Sequence, residues 1–150
     1  MQPEWTGRVS AQVWVFPVDP VAKPRMTRRD KWAKREVVVA YRAFCDALNA
    51  HAARLRFVPP LCGAHITFHI AMPESWSGKK RLRMDGTPHQ QKPDKDNLEK
   101  AFWDALLPDD SKVWHTGEVK KVWASWGRIE VTVHAYEGTV EGAPEGRAAA

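Results

Sequence analysis

Lys92-Pro93-Asp94-Lys95-Asp96-Asn97-Leu98-Glu99-Lys100-Ala101-Phe102-Trp103-Asp104-Ala105-Leu106-Leu107-Pro108-Asp109-Asp110-Ser111-Lys112-Val113 is the stretch from which the rest of the chain can be read. Leu98, Ala101, Phe102, Ala105 and Leu106 recur at i, i+3, i+4, i+7 and i+8, the pattern of a half-buried helix. Asp96 and Glu99 have the spacing of an N-cap and its N3 acid, so the pattern predicts a helix that begins at Asp96 and that Pro108 ends. Pro93 biases its neighbours toward extended geometry, which would point Asp94 and Asp96 from one face. Lys100 falls one turn beyond Asp96 and off the apolar stripe.

The residue types suit a hard divalent cation. Mg²⁺ takes a few carboxylate oxygens and leaves its remaining positions to water and phosphate, whereas a zinc site would need His and Cys. Such an ion polarises a phosphoryl oxygen and activates water, and a nearby lysine relieves the charge that develops. A structural N-cap would account for one of these acids. It does not account for Asp94, and an exposed cluster of like charges disfavours itself unless a cation binds there.

The ordered set Lys92-Pro93-Asp94-Lys95-Asp96-Asn97-Leu98-x-Lys100-Ala101, Asp104-Ala105-Leu106 and Asp109-Asp110-Ser111-Lys112-Val113 resembles the signature of the RusA family of crossover junction endodeoxyribonucleases, Holliday junction resolvases common in prophages. Lys95 stands where members often carry an apolar residue, and the linker before the acid pair holds Leu107 and Pro108 alone. The resemblance implies that Asp94, Asp96 and Asp110 are catalytic metal ligands and that Lys100 is the essential lysine, with Asn97 and Asp109 supporting them. It further implies Mg²⁺, with Mn²⁺ able to substitute, and a homodimer that binds four-way DNA junctions and nicks opposed strands in DNA recombination and repair. Hydrolysis by activated water with inversion at phosphorus is the mechanism that follows.

Charge is distributed in the way such a function requires. Residues 1–93 carry 16 Lys and Arg against 7 Asp and Glu, and residues 94–150 carry 7 against 11, so the halves are +9 and −4. Basic excess of this kind binds polyanions through counterion release. It is clustered at Lys23, Arg25, Arg28, Arg29 and Lys31, running on to Trp32, and again at Lys79, Lys80, Arg81 and Arg83; Lys92, Lys120 and Lys121 complete the candidate phosphate contacts. With no long apolar run and no secretory leader, the chain is expected to be cytoplasmic and away from membranes. Its two cysteines, Cys45 and Cys62, make neither a metal pattern nor a disulfide framework.

A coarse pass predicts an α+β domain over 1–137, a mixed sheet flanked by two main helices, with a disordered tail at 138–150. Val9–Phe16 alternates as a first strand. Lys34–Arg56 is a long helix with Val37, Tyr41, Phe44, Leu48, Ala52 and Leu55 on one face. Ala64–Met72 is a second strand with Ile66, Phe68, Ile70 and Met72 on one side. Residues 73–93 read as a long basic loop, free at its tip. Glu118–Trp126 and Arg128–Tyr136 alternate across Gly127 as an antiparallel hairpin.

Other features point less far. His65 and His69 share a face but lie about 13 Å apart by strand rise, too far to chelate one ion. Eight tryptophans are many for this length; Trp32 and Trp76 lie in basic segments where an indole can stack on a base, and Trp103, off its helix stripe, is expected against a second subunit. Pro93-Asp94 with Glu118-Val119-Lys120 also satisfies the Pro-Asp…Glu-x-Lys arrangement of restriction-type nucleases, with Asp94, Glu118 and Lys120 as its catalytic set. A non-catalytic DNA-binding module is the remaining alternative, for which the basic segments alone would suffice.

Overall fold

Residues 9–31 and 35–136 are described by the structure, a computed structural model; the predicted tail and Trp32 lie outside them. The architecture is α+β. Strands β1 (Val9–Phe16), β2 (Cys62–Ala71), β3 (His115–Ala124) and β4 (Arg128–Tyr136) form one mixed sheet in the order β1-β4-β2-β3. β4 pairs antiparallel with both β1 and β2, and β3 runs parallel to β2. A parallel pair needs a crossover. Here it carries helix α2 (Gly78–Met84) and helix α3 (Lys95–Leu106), while α1 (Glu36–Leu55) connects β1 to β2.

Helices α1 and α3 cover one face of the sheet. Val38, Tyr41, Phe44, Leu48 and Ala52 of α1 are buried, the last four in one cluster with Ile66 and Phe68 of β2, Ile129 and Val131 of β4, and Leu98, Ala101 and Phe102 of α3. Phe16 joins the layers, its ring 5.0 Å from Phe57 and 6.1 Å from Phe102, both edge-on. Val38, not the expected Val37, lies at the centre of the α1 stripe; Val37, in the first turn at the stripe's edge, is 54% exposed.

Three expectations are corrected. The strands flanking Gly127 do not pair as a hairpin, because β2 lies between them. Alternation shows which residues face the core, not which strand lies alongside, and Ile66 and Phe68 of β2 are fully buried at the centre of the sheet. Ser125-Trp126-Gly127 therefore passes over the end of β2, where Ala71 faces Ala124 and His69 faces Arg128. A Cβ at Gly127 would stand 1.7 Å from Asp19 Oδ1, so a larger residue there would displace the Asp19 side chain.

Residues 73–93 are not a free loop. Ser77 caps α2 by accepting from Lys80 N, and Arg81 donates to Pro73 O at 2.9 Å. Trp76 packs on Trp123 with ring centroids 4.8 Å apart, and Lys80 sits over Trp76 at 4.0 Å. Beyond α2 the chain lies along the outer edge of β3, where Gly86 N donates to Trp123 O, Trp123 N to Thr87 O and His89 N to Lys121 O. This helix buries none of its residues, so it left no apolar period to find. Lastly, Trp103 is only 5% exposed and packs edge-on to Phe102, inside the subunit's own core.

Candidate functional site

Helix α3 begins two residues earlier than the Asp96 cap implied. Asp94 is its N-cap in extended conformation, and Asp96 already lies in the first turn, so the two acids do not share a strand face. The Asp94 side chain makes no capping hydrogen bond, leaving its carboxylate exposed at the end of the helix where the dipole favours its negative charge. Asp96 and Asn97 are exposed beside it.

From that point the polar side of α3 is a line of alternating charge. Asp96, Lys100 and Asp104 stand at i, i+4 and i+8, each about 6 Å from the next along the axis. Lys100 is exposed between the two acids. At the far end Asp104 accepts a hydrogen bond from Lys23 Nζ at 2.6 Å and meets the carboxyl group of Asp110. Burial pushes the Asp104 carboxyl up; the Lys23 hydrogen bond and the Lys23 and Lys100 charges more than offset this, so it titrates below the ordinary carboxylate value.

Asp110 opens a short 3-10 turn, Asp110–Lys112, that Asp109 caps. Asp109 Oδ1 accepts from Ser111 N at 3.1 Å and from Ser111 Oγ at 2.5 Å, and these bonds hold its own carboxyl below the usual range. Asp109 thus shapes the turn that presents Asp110.

The first basic segment is tied down at both ends. Lys23 is held by Asp104. At the other end Asp30, 4% exposed, accepts from Arg35 through both guanidinium arms at 2.8 Å and from Thr27 N at 2.6 Å, while Arg42 donates to its main-chain oxygen. The Arg35 hydrogen bonds, then that of Thr27, keep Asp30 ionised far below the usual carboxylate range. Between these anchors Arg25, Arg28, Arg29 and Lys31 are exposed. Asp30 and Asp104 are residues that sequence reasoning passed over; the signal for Asp30 was a lone acid inside a run of cations.

The other candidates fall in two groups. Lys79, Arg83, Lys92 and Lys120 are exposed, whereas Arg81 is spent on Pro73 and Lys121 donates to the carbonyls of Gln91 and Pro93. Val119, Lys121 and Trp123 pair with the core-facing Ile66, Phe68 and Ile70, so alternation turns Glu118 and Lys120 to the opposite face of the sheet from the side on which Lys121 reaches Pro93. Glu118 and Lys120 are 3.9 Å apart there, and Glu118 N donates to His65 Nδ1. His69 lies 3.5 Å from Glu130 instead of sharing an ion with His65.

The donors around α3 are oxygens alone, the chemistry of a hard cation. They come as neighbours in pairs: among the described residues no group of three or more His, Cys, Asp or Glu side chains is gathered closely enough to hold an ion. Mg²⁺ fits such a set, because it commonly takes one or two protein carboxylates and completes its shell with water and substrate phosphate.

A mixed α+β domain with exposed carboxylates and a lysine on its crossover helix, beside anchored cationic segments, has the make-up of a phosphodiesterase acting on a polyanion. The family model for endodeoxyribonuclease RusA matches residues 16–134 of the 150, and the chain belongs to that family. Members are endodeoxyribonucleases that act on branched DNA junctions, which makes this protein a nuclease of the hydrolase class. No curated protein gives a significant match. No helix among the described residues is long and apolar enough to cross a membrane.

Proposed function

We propose that this protein is a Mg²⁺-dependent Holliday junction resolvase that acts in the cytoplasm as a homodimer and nicks opposed strands in recombination and repair, with Mn²⁺ able to replace Mg²⁺. The observation that carries the reading is the polar line of α3, in which Lys100 stands between the exposed Asp96 and the partly shielded Asp104, together with the family membership. Asp94, Asp96 and Asp110 would hold the ion. When bound, it supplies Lewis acidity toward a phosphoryl oxygen and lowers the pKa of water. Lys100 presents its ammonium to the anionic, phosphorane-like state, and inversion at phosphorus follows from direct attack of water. Arg25, Arg28, Arg29 and Lys31 on one anchored segment, and Lys79 and Arg83 on α2, hold backbone phosphates. A homodimer suits a four-way junction because both have two-fold symmetry, so two equivalent sites meet opposed strands in register.

The Glu118-x-Lys120 arrangement is disfavoured by its place on the opposite sheet face. A purely binding module leaves the exposed carboxylates of Asp94 and Asp96 without a purpose. The test is a synthetic mobile junction incubated with and without Mg²⁺. Wild type should make symmetric nicks only with metal, and Asp94→Asn, Asp96→Asn and Asp110→Asn should bind the junction yet fail to cut it. Near-normal cleavage by Asp94→Asn and Asp96→Asn would overturn the site.

A further inference from the structure

We infer that Lys121 is a positioning residue, clamping the turn that presents Asp94 to the rigid edge of the sheet. The inference rests on the proposed role of Asp94. Position 121 lies on β3 between Val119 and Trp123, on the side of the strand that faces the core, where an apolar residue would be usual. It is a lysine, half-buried, whose Nζ donates to Pro93 O at 2.6 Å and to Gln91 O. An ammonium withdrawn from water is stable only when its donors are matched, and two main-chain carbonyls match two of its three.

The contact completes a series. The main chain of β3 already holds the approaching segment at Gly86, Thr87 and His89, with the His89 ring buried 4.3 Å from Trp123. After His89 the main-chain pairing with β3 ends, yet four residues separate it from Asp94. Pro93 has no N–H to offer a strand partner, so a ladder cannot continue. The Lys121 side chain extends the same edge by two further attachments, the second on the residue directly before Asp94. The N-cap side chain itself makes no hydrogen bond that would fix its position. What orients Asp94 is therefore the main chain on either side: Leu98 N on its own oxygen at 3.1 Å, and Lys121 on the preceding carbonyl.

A positioning role and a phosphate contact predict different results for Lys121→Met, which keeps the stem and removes the donors. Positioning predicts junction affinity and its salt slope unchanged within about twofold when measured in Ca²⁺, while the single-turnover cleavage rate at saturating protein falls about 10- to 100-fold, the range typical of groups that orient metal ligands. The Mg²⁺ concentration for half-maximal rate should rise. Hydrogen exchange should speed at least tenfold at the amides of Leu98–Phe102, the first of which is bonded to Asp94 O, and stay unchanged in β2. Lys121→Arg, which keeps donors at that place, should recover most of the rate and of the protection; it also decides the matter if the Met variant does not fold. Normal exchange at Leu98–Phe102 in Lys121→Met would overturn the inference, as would a weakened, flatter salt dependence of binding with an unaltered rate. If wild type cuts no junction, the proposed function fails, while the exchange comparison still decides whether Lys121 holds the turn.

Discussion

Lys23 Nζ lies 2.6 Å from Asp104 Oδ2, joining residues 81 apart and fastening the first cationic segment to the polar side of α3. Both are partly shielded, their side chains 32% and 17% exposed. Lys23→Met leaves Asp104 beside Asp110 with its nearest cation gone, whereas Asp104→Asn removes one of the two like charges. Urea unfolding should therefore show a loss of about 1–2 kcal/mol for Lys23→Met and a smaller one for Asp104→Asn. Equal losses would mean that Asp110 does not feel Asp104.

Asp30 ties the other end of that segment, and its titration gives a pH signature. Its folded pKa is lowered, mainly by the Arg35 hydrogen bonds, so its stabilisation is complete above the unfolded value of about 3.9 and is lost as pH falls toward the folded one. Asp30→Asn should lower Tm at pH 7 and weaken junction binding. The Tm difference from wild type should shrink steadily below about pH 4 in thermal scans.

Lys100 and Glu118 separate the two catalytic readings. Lys100→Ala should reduce the single-turnover rate by two or more orders of magnitude, the scale of removing a group that stabilises transition-state charge. Glu118→Gln, on the opposite sheet face, should change it less than threefold. The reverse ranking in the same junction assay would favour the restriction-type pattern.

On α2, neighbouring cations have different duties. Lys79 and Arg83 are exposed, and each Ala substitution should reduce the slope of log affinity against log salt by about 0.9 for duplex arms. Arg81 donates to the Pro73 carbonyl, so Arg81→Ala should loosen α2 and lower protection of its amides in hydrogen exchange.

Trp103 Nε1 is buried with no hydrogen-bond partner among the described residues. Trp103→Phe removes this unmatched donor along with part of a ring, two terms of about 1 kcal/mol and opposite sign. Stability should stay within about 1 kcal/mol of wild type, and sedimentation should show the oligomeric state unaltered.

Helix α3 was readable because its information is local: the apolar stripe of Leu98, Ala101, Phe102 and Ala105 and the terminating Pro108 all lie within eleven residues. The alternation of Val9–Phe16 and of residues 64–72, 118–126 and 128–136 marked four strands for the same reason. The start of α3 was missed because Asp94 and Asp96 are equally good caps by type, and the turn held at Pro93 decides between them. Helix α2 was missed because it buries none of its residues, its one large apolar side chain before Met84, Leu82, facing solvent, and so shows no apolar period.

By itself, then, the sequence determined the α+β class, the four strands and the two packed helices, since composition, periodicity and spacing are properties of neighbours along the chain, and its ordered motif from Lys92 to Val113 carried the resemblance to the family. The tertiary structure alone decided that β2 separates β3 from β4, that Trp103 belongs to the core, and that Lys23, Asp30 and Lys121 serve as anchors. Each of those outcomes rests on a contact between residues from different elements, where burial and geometry choose one partner among several that the sequence makes equally suitable.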